Sequence, residues 1–253
     1  GKTEVAKALS ASINSEMIRL QCYEGIDASQ AVYEWDYAKQ LLHLRASEVA
    51  GLASETDLAL LEGEIYDEKF LIRRPLMRAL EPAELPPVLL IDEVDRADDE
   101  FEAFLLEVLS DYSITVPEIG TFKTENPPLV IITSNRTRDV HDALKRRCLY
   151  HWVEHPGIDQ EVEILRVRAP HVPLALARDV AAIASELRNM DLYKPPGVSE
   201  TIDWVEALVT VGADEIEPDA LDSTLGALLK YREDQQRVRN RGFGDVLAAV
   251  RQG

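Results

Sequence analysis

The stretch PPVLLIDEVDRAD, residues 86–98, constrains this chain more than any other. Two prolines lead into an unbroken apolar run, and two acids follow at once. A run without alternation suits a central strand of a parallel sheet, because such a strand is covered on both faces. Ligands bind beyond the carboxyl ends of strands in open sheets of this kind. Asp92 and Glu93 stand at that end. Asp92 is suited to order Mg²⁺ through its water shell, and Glu93 to take the proton from an attacking water. A strand that simply ends in solvated acids is the plain alternative.

The chain opens GKTEVAKALS. Gly1, Lys2 and Thr3 match the second half of the phosphate-binding loop G-x-x-x-x-G-K-[ST], which runs straight into a helix. Glycine lets backbone amides close around a phosphate, lysine reaches the β/γ oxygens, and the Thr3 hydroxyl would hold Mg²⁺. The helix behind them, with Val5, Leu9 and Ile13 four apart, adds its positive dipole end. Three residues are a weak signal taken alone. The start of the loop and the strand before it do not precede them, so the chain is expected to be a fragment.

The rest of the first half alternates strands and helices. MIRLQC puts Ile18, Leu20 and Cys22 on one face and predicts a strand. The composition of 28–48, with Tyr33, Trp35 and Tyr37, predicts a helix, and EKFLIRRPLMRALEP another, disturbed at Pro75. DEFEAFLLEVLSDY predicts a helix, SITVPEIGTFKTENPP a hairpin about Ile119-Gly120, and PLVIITSN and LYHWVEH two further strands. Beyond Pro156 every periodic stretch is helical, including DALDSTLGALLKYREDQQRVR as one helix. This order predicts an open parallel α/β sheet over 1–155 and a smaller all-helical domain over 156–253.

Charge narrows the function. The chain has 253 residues and a formal charge of −19. Such a chain repels a phosphate backbone, which argues against a general nucleic-acid binder. Cys22 and Cys148 read as reduced thiols of a cytoplasmic protein. No apolar run approaches the roughly 18 residues that span a bilayer. His151 and His155 in HWVEH have no Cys-x-x-Cys beside them, so they do not make a metal site.

Two further elements lie downstream. Asn135 ends the PLVIITSN run, where its amide would orient water beside a γ-phosphate; ordinary turn chemistry is the alternative. HDALKRRC is a short basic helix. Its arginines either favour the helix C-terminus or supply an arginine finger, Arg147 or Arg146, to a neighbouring subunit's ATP.

Gly-Lys-Thr, the two acids, Asn135 and the basic helix, in this order and followed by helices, resemble the AAA+ ATPases. RLQCYEG, YDEKFLIRRPLMRALEP, LLIDEVDRADDEFEAFLLEVLSD and PPLVIITSNRTRD are similar to the MoxR family within them. The resemblance implies a P-loop NTPase sheet of the AAA+ type followed by a helical lid. It implies Gly1, Lys2 and Thr3 as Walker A, Asp92 and Glu93 as Walker B, Asn135 as sensor 1, and Arg147 as the preferred finger over Arg146. It implies ATP and Mg²⁺, a homo-oligomeric ring, usually a hexamer, and a chaperone-like role. The implied partners are a von Willebrand factor A domain protein and a client metalloenzyme that receives its metal cofactor.

One departure concerns the lid, which commonly presents an arginine called sensor 2. Here PPGVSETIDW has Glu200 where that arginine would stand, and Arg188 and Lys194 are weak substitutes. Competing readings are a nucleic-acid motor on the same fold and a non-hydrolysing nucleotide switch. The hairpin offers a motor only Lys123 against Glu118 and Glu125, and a switch needs no Glu93.

Overall fold

A computed structural model of the chain describes residues 2–49, 64–213 and 215–252. The chain divides into two compact units, Gly1–Trp152 and Val153–Gly253.

The first unit begins with helix α1 (Lys2–Ile13) and strand β1 (Met17–Gln21). Helix α2 (Ala28–Val32), strand β2 (Tyr33–Trp35) and helix α3 (Tyr37–Val49) follow, then strand β3 (Leu71–Arg73), helix α4 (Pro75–Ala79) and strand β4 (Val88–Asp92). Helix α5 (Asp99–Asp111) leads to the β5 (Ser113–Val116) and β6 (Gly120–Lys123) hairpin, strand β7 (Leu129–Ile132) and helix α6 (Asp142–Arg147).

The main sheet is parallel, in the order β1-β4-β7. All five residues of β4 are buried. Leu89 and Ile91 join one core with Ile18, Leu20, Phe101 and Leu105. Val88 and Leu90 pack with Ala6, Leu9 and Ile13 of α1 on the other side. Both faces of β4 are covered, which is why its sequence does not alternate. The register sets Gln21 beside Asp92 and Ile91 beside Ile132, so the strand ends that carry polar residues lie together.

Two stretches depart from the sequence expectation. The aromatic segment 28–48 is not one helix. Asp27 caps α2 through a capping box with Gln30, and the chain then extends as β2, antiparallel to β3. β-branched and aromatic residues favour a half-buried pleated surface when a partner strand is present, and Leu71–Arg73 supplies one. Pro75 does not disturb a helix; it opens one at the first turn, where its missing N–H costs nothing. Residues 149–156 form no strand, because among the described residues no strand runs beside them. Leu149, Tyr150 and Trp152 are exposed.

The second unit is all helix: α7 (Ile158–Arg168), α8 (Leu174–Arg188), α9 (Val198–Thr210), α10 (Pro218–Leu228), α11 (Arg232–Arg241) and α12 (Phe243–Gln252). Its core gathers Leu165, Leu176, Ile183, Leu187, Trp204, Leu208 and Leu225. Trp204 is fully buried and satisfies its indole N–H on Thr224 Oγ1 at 2.8 Å. The stretch expected as one helix over 219–239 breaks after Leu228. Leu229 is extended, which turns it into the core beside Leu228. Gly242, with φ +89°, then makes the turn into α12, which buries Val246.

Candidate functional site

The site forms where β1, β4 and β7 end and α1 begins. Lys2 opens α1, and its side chain has no hydrogen-bond or ion-pair partner among the described residues. Thr3 follows in the same turn, and its hydroxyl lies 3.4 Å from Asp92 Oδ2. Gly1, read from the sequence as part of the phosphate cradle, lies outside the described residues.

Asp92 is 4% exposed. Its Oδ1 accepts from Thr133 Oγ1 at 2.5 Å. Its Oδ2 accepts from Arg19 Nε at 3.0 Å and Nη2 at 2.5 Å. The donor set suits Mg²⁺: a carboxylate and a hydroxyl are hard oxygen donors, and Mg²⁺ takes one or two such groups with phosphate and water.

Glu93 follows in the left-handed region, φ 56° and ψ 50°. A bulky residue held there is strained, and such strain gathers at functional sites. The bend turns its side chain out of the sheet. The Glu93 N–H donates to Thr133 Oγ1 at 3.0 Å. Its Oε1 accepts from Asn135 Nδ2 at 2.9 Å, and its Oε2 from Gln21 Nε2 at 3.3 Å and Arg96 Nη1 at 3.4 Å. The carboxylate is thus held by neutral amides and one exposed arginine, with its side chain 31% exposed.

Asp95 sets the loop after β7. It is buried and accepts from the Asn135 N–H at 3.0 Å, the Thr137 N–H at 2.8 Å and the Thr137 hydroxyl at 2.7 Å. Burial pushes its pKa up, but the Thr137 and Asn135 hydrogen bonds outweigh burial, and the net shift is downward. Asp95 therefore stays ionised and fixes the backbone from which Asn135 reaches Glu93. Behind the site, burial, with Asp92 next, pushes the Cys22 thiol up to about 12.

The structure brings together Thr3, Asp92, Glu93 and Asn135, all read from the sequence. Arg19, Gln21, Asp95 and Thr133 also belong to the cluster and were missed. Alternation in MIRLQ places Arg19 and Gln21 on one face of β1, and that was the available signal. The two candidate finger arginines stand apart from these residues. Arg147 Nη1 donates to the Leu106 carbonyl at 3.0 Å and to the Ser110 hydroxyl, tying α6 to the end of α5. Arg146 is exposed and has no partner among the described residues.

In the second unit, Arg188 is consumed internally. It forks onto both oxygens of Glu161 at 2.5 and 2.7 Å and donates to the Pro196 carbonyl at 2.7 Å. Lys194 lies 4.0 Å from Glu200 and is exposed.

Among the described residues, no helix is long and apolar enough to cross a membrane. The family model described as AAA domain, dynein-related subfamily, matches residues 1–148. No curated protein matches the chain in sequence. Among solved structures, the chain is similar to two variants of RuvB from Thermotoga maritima. One has TM-score 0.49 at 16% identity, covering 89% of this chain and 57% of that chain. The other has TM-score 0.50 at 14% identity, covering 100% of this chain and 67% of that one. An ATPase, so titled provisionally, from Cytophaga hutchinsonii has TM-score 0.41 at 12% identity, covering 100% of this chain and 82% of that chain. The chain thus spans 57% of the first of these RuvB chains.

Proposed function

The chain belongs to the AAA domain family, dynein-related subfamily, and has the AAA+ P-loop NTPase fold; from that premise we propose that it binds ATP with Mg²⁺ and hydrolyses it. The observation that carries the reading is the 2.9 Å hydrogen bond from Asn135 to Glu93, beside the Thr3–Asp92 contact. Residues 1–155 act as the nucleotide-binding domain and 156–253 as the lid.

Gly1, Lys2 and Thr3 take the phosphates. Lys2 has no partner among the described residues and carries the positive charge that the β/γ oxygens need. The cation held by Thr3 and Asp92 neutralises charge on the phosphate oxygens. Glu93 accepts the proton of the attacking water. Asn135 holds the Glu93 carboxylate from one side and orients that water from the other. Arg147 or Arg146 supplies positive charge to a neighbouring subunit's ATP in a homo-oligomeric, hexameric ring.

Within the family, the chain reads as MoxR type. It is a chaperone-like remodeller that works with a von Willebrand factor A domain protein to mature a metalloenzyme in the cytoplasm. The RLQCYEG and LLIDEVDRADDE segments support this, and both cysteines are free thiols, which suits a reducing compartment. A charge of −19 speaks against a nucleic-acid motor. Basal ATP turnover of the full-length protein, then turnover with added DNA and with added von Willebrand domain protein, tests the reading. Stimulation by the protein partner alone supports it, and stimulation by DNA alone sinks the MoxR assignment.

A further inference from the structure

Asp92 Oδ2 is a contested atom. Arg19 donates two hydrogen bonds to it, at 3.0 and 2.5 Å, and the Thr3 hydroxyl stands 3.4 Å away. The other oxygen is committed to Thr133. In the proposed reaction the cation sits between Thr3 and the water shell of Asp92. A guanidinium and a dication would then claim the same oxygen, and like charges this close repel strongly away from bulk water.

The two partners differ in their freedom to leave. The Asp92 side chain is 6% exposed and that of Arg19 is 50% exposed. A carboxylate this buried needs a positive partner, whereas Arg19 has solvent to retreat into. Among the described residues, Arg19 is the cation paired with Asp92.

Arg19 also reaches the catalytic acid through Gln21. Its Nη2 hydrogen-bonds Gln21 Oε1. A carboxamide whose oxygen is held by a guanidinium must turn its NH₂ away. That NH₂ faces Glu93 Oε2 at 3.3 Å. The path runs from Asp92 through Arg19 and Gln21 to Glu93.

We propose that Arg19 is a positioning residue that stands in for the divalent cation at Asp92 in the nucleotide-free protein, and that its withdrawal on cation arrival frees Gln21 and so Glu93. The inference rests on the ATPase reading above. Its test is Mn²⁺ affinity, read by electron paramagnetic resonance on the full-length protein with a non-hydrolysable ATP analogue. Removing a competitor for the site raises apparent affinity, so Arg19→Met should bind Mn²⁺ about tenfold more tightly than the parent. A residue that merely supports the fold, or that contacts phosphate, would give unchanged or weaker Mn²⁺ binding, and either result overturns the proposal. Arg19→Met should also melt at a lower temperature than the parent in EDTA, and the gap should close with Mn²⁺ and the analogue; a gap that persists overturns it. If Arg19→Met does not fold, Arg19→Lys keeps a charge but loses the two-pronged grip. It should bind Mn²⁺ a few-fold more tightly than the parent, and parental or weaker affinity overturns the proposal. A parent that binds no Mn²⁺ with the analogue overturns the ATPase reading as well, whereas a parent that binds it normally confines any failure to the role of Arg19.

Discussion

Arg188 and Glu161 grip each other with two hydrogen bonds, at 2.5 and 2.7 Å, inside the helical unit. Their side chains are 7% and 0% exposed. The pair joins α7 to the end of α8, and Thr201 of α9 takes a further bond from Arg188 at 3.2 Å. The arginine that the sequence offered as a stand-in lid sensor is a structural residue in this arrangement.

Removing one member leaves the other charged and buried. Arg188→Met should therefore cost about 3–5 kcal/mol of unfolding free energy. Replacing both partners with apolar residues, Glu161→Met with Arg188→Met, should recover most of that loss. Urea unfolding followed by circular dichroism checks both, and equal stability of the single and double variants would show that the pair is not coupled.

Lys2→Ala in the full-length protein should abolish ATP binding, because the phosphates lose their main cationic contact. Glu93→Gln should bind ATP and stall, with a rate loss of about 10²–10⁴ for a missing general base. Calorimetry and phosphate release separate the two effects. Turnover in Glu93→Gln close to that of the parent would remove Glu93 from the mechanism.

The two adjacent arginines should behave differently. Arg147 holds the carbonyl end of α5, so Arg147→Ala should lose stability by about 1 kcal/mol or less. Arg146→Ala breaks no contact among the described residues and should leave stability unchanged. The finger variant should assemble, bind ATP and barely hydrolyse, since fingers supplied by a neighbour are worth about 10³–10⁵ in rate. Mixing that variant with Lys2→Ala should restore part of the activity, because some sites then pair an intact loop with an intact finger. Mixed rings without any gain over either parent would argue against a role across the subunit boundary.

Asp95 makes stability depend on pH. Its folded pKa lies below the ordinary 3.8, so its hydrogen bonds contribute fully above 3.8 and are lost as pH falls through the folded value. Asp95→Asn should thus be less stable than the parent at about pH 6, and the gap should close as pH drops below 3.8. Chemical denaturation at several pH values measures this. A gap that stays constant down to acid pH would mean the carboxylate charge is not what holds the Asn135 loop.

The sequence by itself determined what depends on local pattern and on chemistry at chain neighbours. The unbroken VLLID run specified a buried central strand, and Asp92 and Glu93 had to follow at its end. The spacing of Val5, Leu9 and Ile13 specified α1, and the helical periodicity beyond Pro156 specified the second unit. Tertiary structure decided whatever needed a partner distant in the chain. Tyr33–Trp35 became a strand because Leu71–Arg73 came to lie beside it, and residues 149–156 stayed irregular where no described strand did. Leu229 broke a helix that its neighbours could have continued, because burial in the core outweighed propensity. Arg19 and Asp92 are separated by 73 residues, and Arg188 and Glu161 by 27. Charge alone does not say which of many acids an arginine will meet. Strand register and helix packing made those choices, because they fix which side chains leave water together.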